Sequence, residues 1–156
     1  EQAYEIFIES VKKLVTYARE RGVAFYIENN VIAPFNAPEG KNKFLLLCDP
    51  DEIISFYDDL GDPDFGFLMD VGHLNVSAAT LGFDRQAAMD ALLPYIRAFH
   101  LSENDGSADT NDPFEGDAWF LPWIKSCSDA ETVLEAYNLS KADLDTCRNA
   151  TNDFLI

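Results

Sequence analysis

Apolar residues in the first 22 positions return at three- and four-residue steps. In "EQAYEIFIESVKKLVTYARERG" these are Ala3, Ile6, Phe7, Val11, Leu14, Val15 and Ala18, which predicts an amphipathic helix stopped by Gly22. The pattern then shortens. Val23 to Ile27 is a β-rich run that ends abruptly in Glu28, Asn29 and Asn30, and a loop with Pro34, Pro38 and Gly40 follows. "FLLLC" reads as the lead-in to a helix with Asp49 as N-cap, Pro50 at its first position and Gly61 closing it. A second strand, Phe65 to Met69, breaks into Asp70, Val71, Gly72 and His73. Asp84 caps a helix through "RQAAMDALLPY", and "IRAFHL" is the third strand. A long polar loop, "SENDGSADTNDPFEGDAWF", precedes the fourth strand, "TVLEAYN". Ser140 and Asp143 form a capping box for a last helix.

Short, continuously apolar strands separated by helices predict an α/β fold with a parallel sheet covered by helices. Each strand ends in residues able to hold a metal: Glu28, Asp70 with His73, His100, and Glu135. In parallel α/β folds the C-terminal strand ends share one edge, where ligands bind. Glu28, Asp70, His100 and Glu135 would converge there, about one βα unit apart in sequence. This oxygen-rich set with one imidazole suits one divalent ion, Mn²⁺ or Mg²⁺ first, with Co²⁺ or Zn²⁺ also accommodated.

Each residue alone has a plainer explanation. Glu28 could bond a helix N-terminus, Asp70 and Gly72 could serve a turn, and His100 between Phe99 and Leu101 could be a hydrogen-bonded core histidine. Glu135 within "TVLEAY" is harder to explain so, because a carboxylate there faces a desolvation cost of several kcal/mol unless paired. The plainer accounts are independent, whereas a metal explains all four residues together.

Charge narrows the partners. The 156 residues carry a net charge of −17, which repels phosphate backbones and argues against nucleic acid. Lys12 with Lys13 and Lys41 with Lys43 are close basic groupings, and both read as solvated faces. Cys48, Cys127 and Cys147 form no CxxC pair and read as small buried or half-buried residues of a reducing compartment. No stretch approaches a membrane span and no signal peptide is evident, so the expected location is cytoplasmic.

"YIENN", "LMDVGH", "AFHLSENDG" with "FEGD", and "VLEAYN", in this order, resemble the second half of a xylose isomerase-like TIM barrel. That superfamily holds divalent-metal-dependent sugar isomerases and epimerases and the barrel-type abasic-site endonucleases. The resemblance implies an enzyme with Glu28, Asp70, His100 and Glu135 ligating one metal, Mn²⁺ first. It also implies substrate contact by His73, and Glu28 and Glu135 as the catalytic pair exchanging a proton at a carbon next to a carbonyl. The implied substrate is a small sugar or polyol. Ser102 stands where many relatives carry a second histidine, and Glu103 to Gly106 where epimerases often carry an arginine. Asp109 and Asn111 fall where the multi-zinc endonucleases place an aspartate and a histidine; Asn111 is a poor zinc ligand, which weakens the alternative of a metal-dependent phosphodiesterase. A third alternative is a non-catalytic barrel remnant serving binding or assembly.

A full (β/α)₈ barrel typically needs about 250 residues. The chain is therefore expected to form one partial domain over residues 1–156, a half-barrel resembling strands five to eight. Its open edges would be completed by an N-terminal half or by a second copy in a homo-oligomer. The loop from Glu103 to Asp117 is expected to fold over the mouth of the site.

Overall fold

The computed structural model describes residues 2–155; Glu1, where the first helical segment was read to begin, and Ile156 lie outside them. Four parallel strands form one sheet in the order β1-β2-β3-β4: β1 (Tyr26–Glu28), β2 (Gly66–Asp70), β3 (Ile96–Leu101) and β4 (Glu131–Leu134). The helices are α1 (Gln2–Arg19), α2 (Pro50–Leu60), α3 (Val71–Leu81), α4 (Arg85–Leu92), α5 (Leu121–Ser126) and α6 (Lys141–Leu155). Strand–helix–strand connections that keep every strand parallel put the helices over the sheet, as the sequence predicts.

The expected capping residues act as such. The Asp49 side chain accepts from the Glu52 N–H at 3.0 Å, and Gly61 ends α2 in the left-handed conformation at φ 65°. Asp84 accepts from the N–H groups of Gln86 and Ala87. Ser140 and Asp143 bond reciprocally, at 2.9 and 3.2 Å. Each satisfies donors that a helix start would otherwise leave orphaned.

Several elements differ from the sequence reading. Strand β1 is only three residues long, α4 ends at Leu92 rather than running through Tyr95, and Glu135 lies one residue beyond β4. Two helices, α3 and α5, were not predicted. In α1 the buried residues are Ile8, Val11 and Val15, while Ile6 and Leu14 of the expected stripe face solvent.

The core lies between the sheet and the helices. Phe67 and Met69 of β2 and Phe99 and Leu101 of β3 are fully buried against Ile53, Phe56, Leu74, Met89 and Leu92. The long loop joins this core: Phe114 and Phe120 are buried with ring centroids 5.0 Å apart, and the Phe114 N–H donates to Cys147 Sγ at 3.3 Å. The three cysteines are free, two buried and one half-buried. Burial pushes the Cys48 thiol up to about 12, which leaves it unreactive near neutral pH. No helix among the described residues is long and apolar enough to cross a membrane.

Candidate metal centre

The register of the sheet sets the site. Asp70 and His100 lie directly opposite each other on β2 and β3. Glu28 is level with Leu68, before Asp70 in the sheet, and Glu135 lies beyond Val133, the partner of His100. This stagger belongs to strands tilted as in a barrel, and it carries four strand ends to one place. One donor atom from each of Glu28, Asp70, His100 and Glu135 falls within 4.8 Å of the other three.

His100 Nδ1 is the centre of that cluster. Glu135 Oε2 lies 2.5 Å from it, Glu28 Oε1 2.8 Å and Asp70 Oδ2 3.8 Å. One ring N–H can point at only one oxygen, and it is aligned on Glu28. Asp70 Oδ2 and Glu135 Oε2 are buried with no hydrogen-bond partner among the described residues. Three carboxylates crowded around one nitrogen, two with an orphaned oxygen, are a poor arrangement unless a cation neutralises them. The donor set fits a hard divalent ion, with Nδ1 losing its proton to become a ligand.

Asp70 is held hardest. It is 1% exposed and serves as the N-cap of α3, its Oδ1 accepting from the His73 N–H at 2.8 Å. This explains the Asp-Val-Gly-His spacing: the strand turns into a helix at Asp70 with no intervening loop, and His73 is the third residue of its first turn. Burial pushes the Asp70 carboxyl up to about 7, opposed by the charge and backbone N–H of His73 and reinforced by the charges of Glu28 and Glu135.

His73 lies at the edge of the cluster, its Nε2 4.0 Å from Asp70 Oδ2. The same nitrogen is 3.3 Å from Asp109 Oδ2, so the long loop does reach the mouth of the site. An antiparallel bridge between Glu103 and Asp112 closes the segment that carries Asp109. Below it, Asn104 donates to the Gly72 carbonyl at 3.0 Å and accepts from Asn75 at 2.8 Å, tying the loop to α3. Trp119 stacks on Arg85, whose guanidinium carbon is 4.5 Å from the ring. Ser102 is fully buried, and its hydroxyl has no partner among the described residues.

Asn29 and Asn104 carry no predicted role in the sequence. Asn29, 2% exposed, bonds both backbone groups of Asp70. The only signal was a run of polar residues following a strand without a glycine or proline to make a turn, which is too common to stand alone.

A parallel α/β sheet with acidic and imidazole side chains gathered at its C-terminal edge defines the class: a barrel-type protein with a candidate metal site. The sequence pattern of the xylose isomerase-like TIM barrel family matches residues 1–128, and the chain belongs to that family. Three of the four clustered residues fall inside the match, while Glu135 lies past its end. No curated protein sequence matches the chain significantly. Among solved structures, the chain is similar to a D-tagatose 3-epimerase-like protein, with 18% identity and a TM-score of 0.73 over 97% of this chain and 54% of that one. It is also similar to a Thermus thermophilus protein soaked with zinc chloride, at 19% identity and a TM-score of 0.64 over 97% and 54%. A Rhodospirillum rubrum protein described as a candidate xylose isomerase gives 21% identity and a TM-score of 0.65 over 99% and 53%. At these identities the likeness establishes the fold. The chain spans about half the length of each of these structures.

Proposed function

We propose that the chain supplies the metal-binding half of a sugar isomerase or epimerase. The observation that supports this reading is the convergence of donor atoms from Glu28, Asp70, His100 and Glu135 within 4.8 Å, from the ends of four separate strands. Mn²⁺ is the proposed ion, and the zinc-soaked neighbour adds weight to metal binding as such. When bound, the ion supplies electrophilic polarisation of adjacent substrate oxygens, which acidifies the neighbouring C–H.

The chain's own groups do the rest. Glu28 and Glu135 approach His100 from strands at opposite margins of the sheet, so one can take a proton from a carbon while the other returns it. His73, at the edge of the cluster, holds a substrate hydroxyl. The substrate is a small sugar or polyol, since the net charge of −17 disfavours a phosphorylated or polynucleotide ligand. The remaining wall of the substrate pocket comes from the other half of a barrel, either more polypeptide or a second copy.

Calorimetric titration with Mn²⁺, run beside a Glu28→Ala variant, tests the site. One-to-one binding that disappears in the variant supports it, and a chain that takes up no Mn²⁺ refutes it. Proton transfer is tested by deuterium uptake from D₂O into candidate sugars, with Glu135→Gln as the variant that should abolish it.

A further inference from the structure

The ladder between β1 and β2 ends at Glu28 and Leu68, before the strands reach Asp70. Asp70 still has an N–H and a carbonyl to satisfy in a buried setting. Both are taken by one side chain: Asp70 N–H donates to Asn29 Oδ1 at 2.8 Å, and Asn29 Nδ2 donates to the Asp70 carbonyl at 2.9 Å. The Asn29 amide thus imitates a further residue of β1 and extends the sheet where its backbone stops. The same residue's main-chain carbonyl lies 2.7 Å from His73 Nδ1. A carbonyl only accepts, so Nδ1 carries a proton whether the ring is charged or neutral, and Nε2 is the nitrogen turned to Asp109 and the site.

We propose that Asn29 is the positioning residue of this site: its amide holds the ends of β1 and β2 so that Glu28 and Asp70 converge, and its carbonyl fixes which His73 nitrogen faces the ligand. The inference rests on the metal-site reading above. Asn29 directly follows one proposed ligand, is clamped to the backbone of a second, and orients the histidine at their edge. Its chemistry is specific. One donor and one acceptor in a plane match one N–H and one carbonyl; aspartate would replace the donor by an acceptor facing the Asp70 carbonyl, and alanine would leave both Asp70 groups unpaired. Partners of this kind orient ligands that they never replace.

The test compares Mn²⁺ affinity in the unmodified chain, Asn29→Ala, Asn29→Asp and Ser77→Ala, each with its metal-free thermal midpoint. Ser77 is fully buried and accepts from the Ile32 N–H at 3.1 Å, bracing the same β1–α2 connection without touching a proposed ligand. Both Asn29 variants should lose about 10- to 100-fold in affinity, while Ser77→Ala stays within about threefold. Nitrogen-detected NMR of the His73 ring, recorded above about pH 9 where the ring is neutral, should show Nδ1 protonated in the unmodified chain and a mixture of tautomers in Asn29→Ala, where the amide no longer holds the residue-29 carbonyl in place. Unchanged affinity in Asn29→Ala, or an equal loss in Ser77→Ala at equal loss of midpoint, overturns the proposal and leaves the metal site standing. Absence of Mn²⁺ binding in the unmodified chain overturns both.

Discussion

The His73 imidazole and the Asp109 carboxylate face each other with Nε2 and Oδ2 3.3 Å apart, one in the first turn of α3 and the other in the loop after β3. Burial opposes a charged imidazole here. The hydrogen bond to Asp109, the nearby Asp70 charge and the Asn29 carbonyl outweigh it and raise the pKa from 6.5 to about 9. The folded value lies above the unfolded one, so this group's stabilisation is complete below about pH 6.5 and is lost as pH rises through about 9. Asp109→Asn should bring the His73 titration down towards its ordinary value and flatten the stability slope across that window. An NMR titration of the metal-free chain, paired with denaturation midpoints at each end of the window, measures both. A His73 titration unchanged in Asp109→Asn would show that this contact does not set its charge.

Asp70 behaves in the opposite sense towards metal. Its raised pKa means that ionising it costs the metal-free fold stability as pH climbs from about 4 through about 7. A cation needs the carboxylate ionised, so Mn²⁺ affinity should rise with pH through about 7 and binding should release protons. Titrations in buffers of different ionisation enthalpy count those protons. Affinity flat with pH and no proton release would contradict the crowded-carboxylate account.

Crowding has a further consequence for stability. Glu135→Gln removes one of three carboxylates packed around a single ring nitrogen. Without metal the variant should be more stable than the parent chain, by on the order of 1 kcal/mol, because like charges no longer compete. With Mn²⁺ the order should reverse, as the variant loses more than the roughly 100-fold expected for an outer partner. Thermal melts with and without the ion decide it; a destabilised metal-free variant would mean that Glu135 stabilises the fold by pairing with His100 instead.

Gly72 is needed for space. A Cβ there would lie 2.7 Å from Ser102 Oγ, 3.2 Å from Asn104 Nδ2 and 3.3 Å from Asp70 Oδ1. Ser102 is fully buried. Gly72→Ala should therefore cost about 1–3 kcal/mol and lower Mn²⁺ affinity through displacement of Asp70. Adding Ser102→Ala should restore much of the stability, and a double-mutant cycle on thermal midpoints reads the coupling.

The caps at Asp49, Asp84 and Ser140 with Asp143 were legible because local side-chain chemistry decides them within one turn. Strand β2 was legible from its unbroken run Phe65 to Met69, and β3 from the apolar residues Ile96, Ala98, Phe99 and Leu101 around Arg97 and His100. Helix α3 was not, since most of its first two turns are buried, from Val71 to Ala78 with only His73 half-buried, which erases the polar–apolar period that marks a helix. Ile6 and Leu14 misled for the converse reason: apolar residues can occupy the exposed face of α1, and only packing shows that Ile8 belongs to the core. The four clustered residues could be picked out because each ends a strand. Their support could not, because Asn29 and Asn104 act through backbone groups that become neighbours only after folding.

The sheet order places the four clustered residues unequally. Asp70 and His100 sit at the ends of strands flanked on both sides, whereas Glu28 ends β1 and Glu135 directly follows β4, strands with one neighbour each among the described residues. In a closed barrel β1 and β4 would be the two strands that meet the other half. Two of the four proposed ligands are thus set between paired strands of this chain, and the two carboxylates proposed to carry protons ride on the strands that the other half of a barrel would adjoin. On the proposed reading the other half would therefore set the reach of both carboxylates: whatever shifts it against β1 or β4 moves Glu28 or Glu135 and leaves Asp70 and His100 in place.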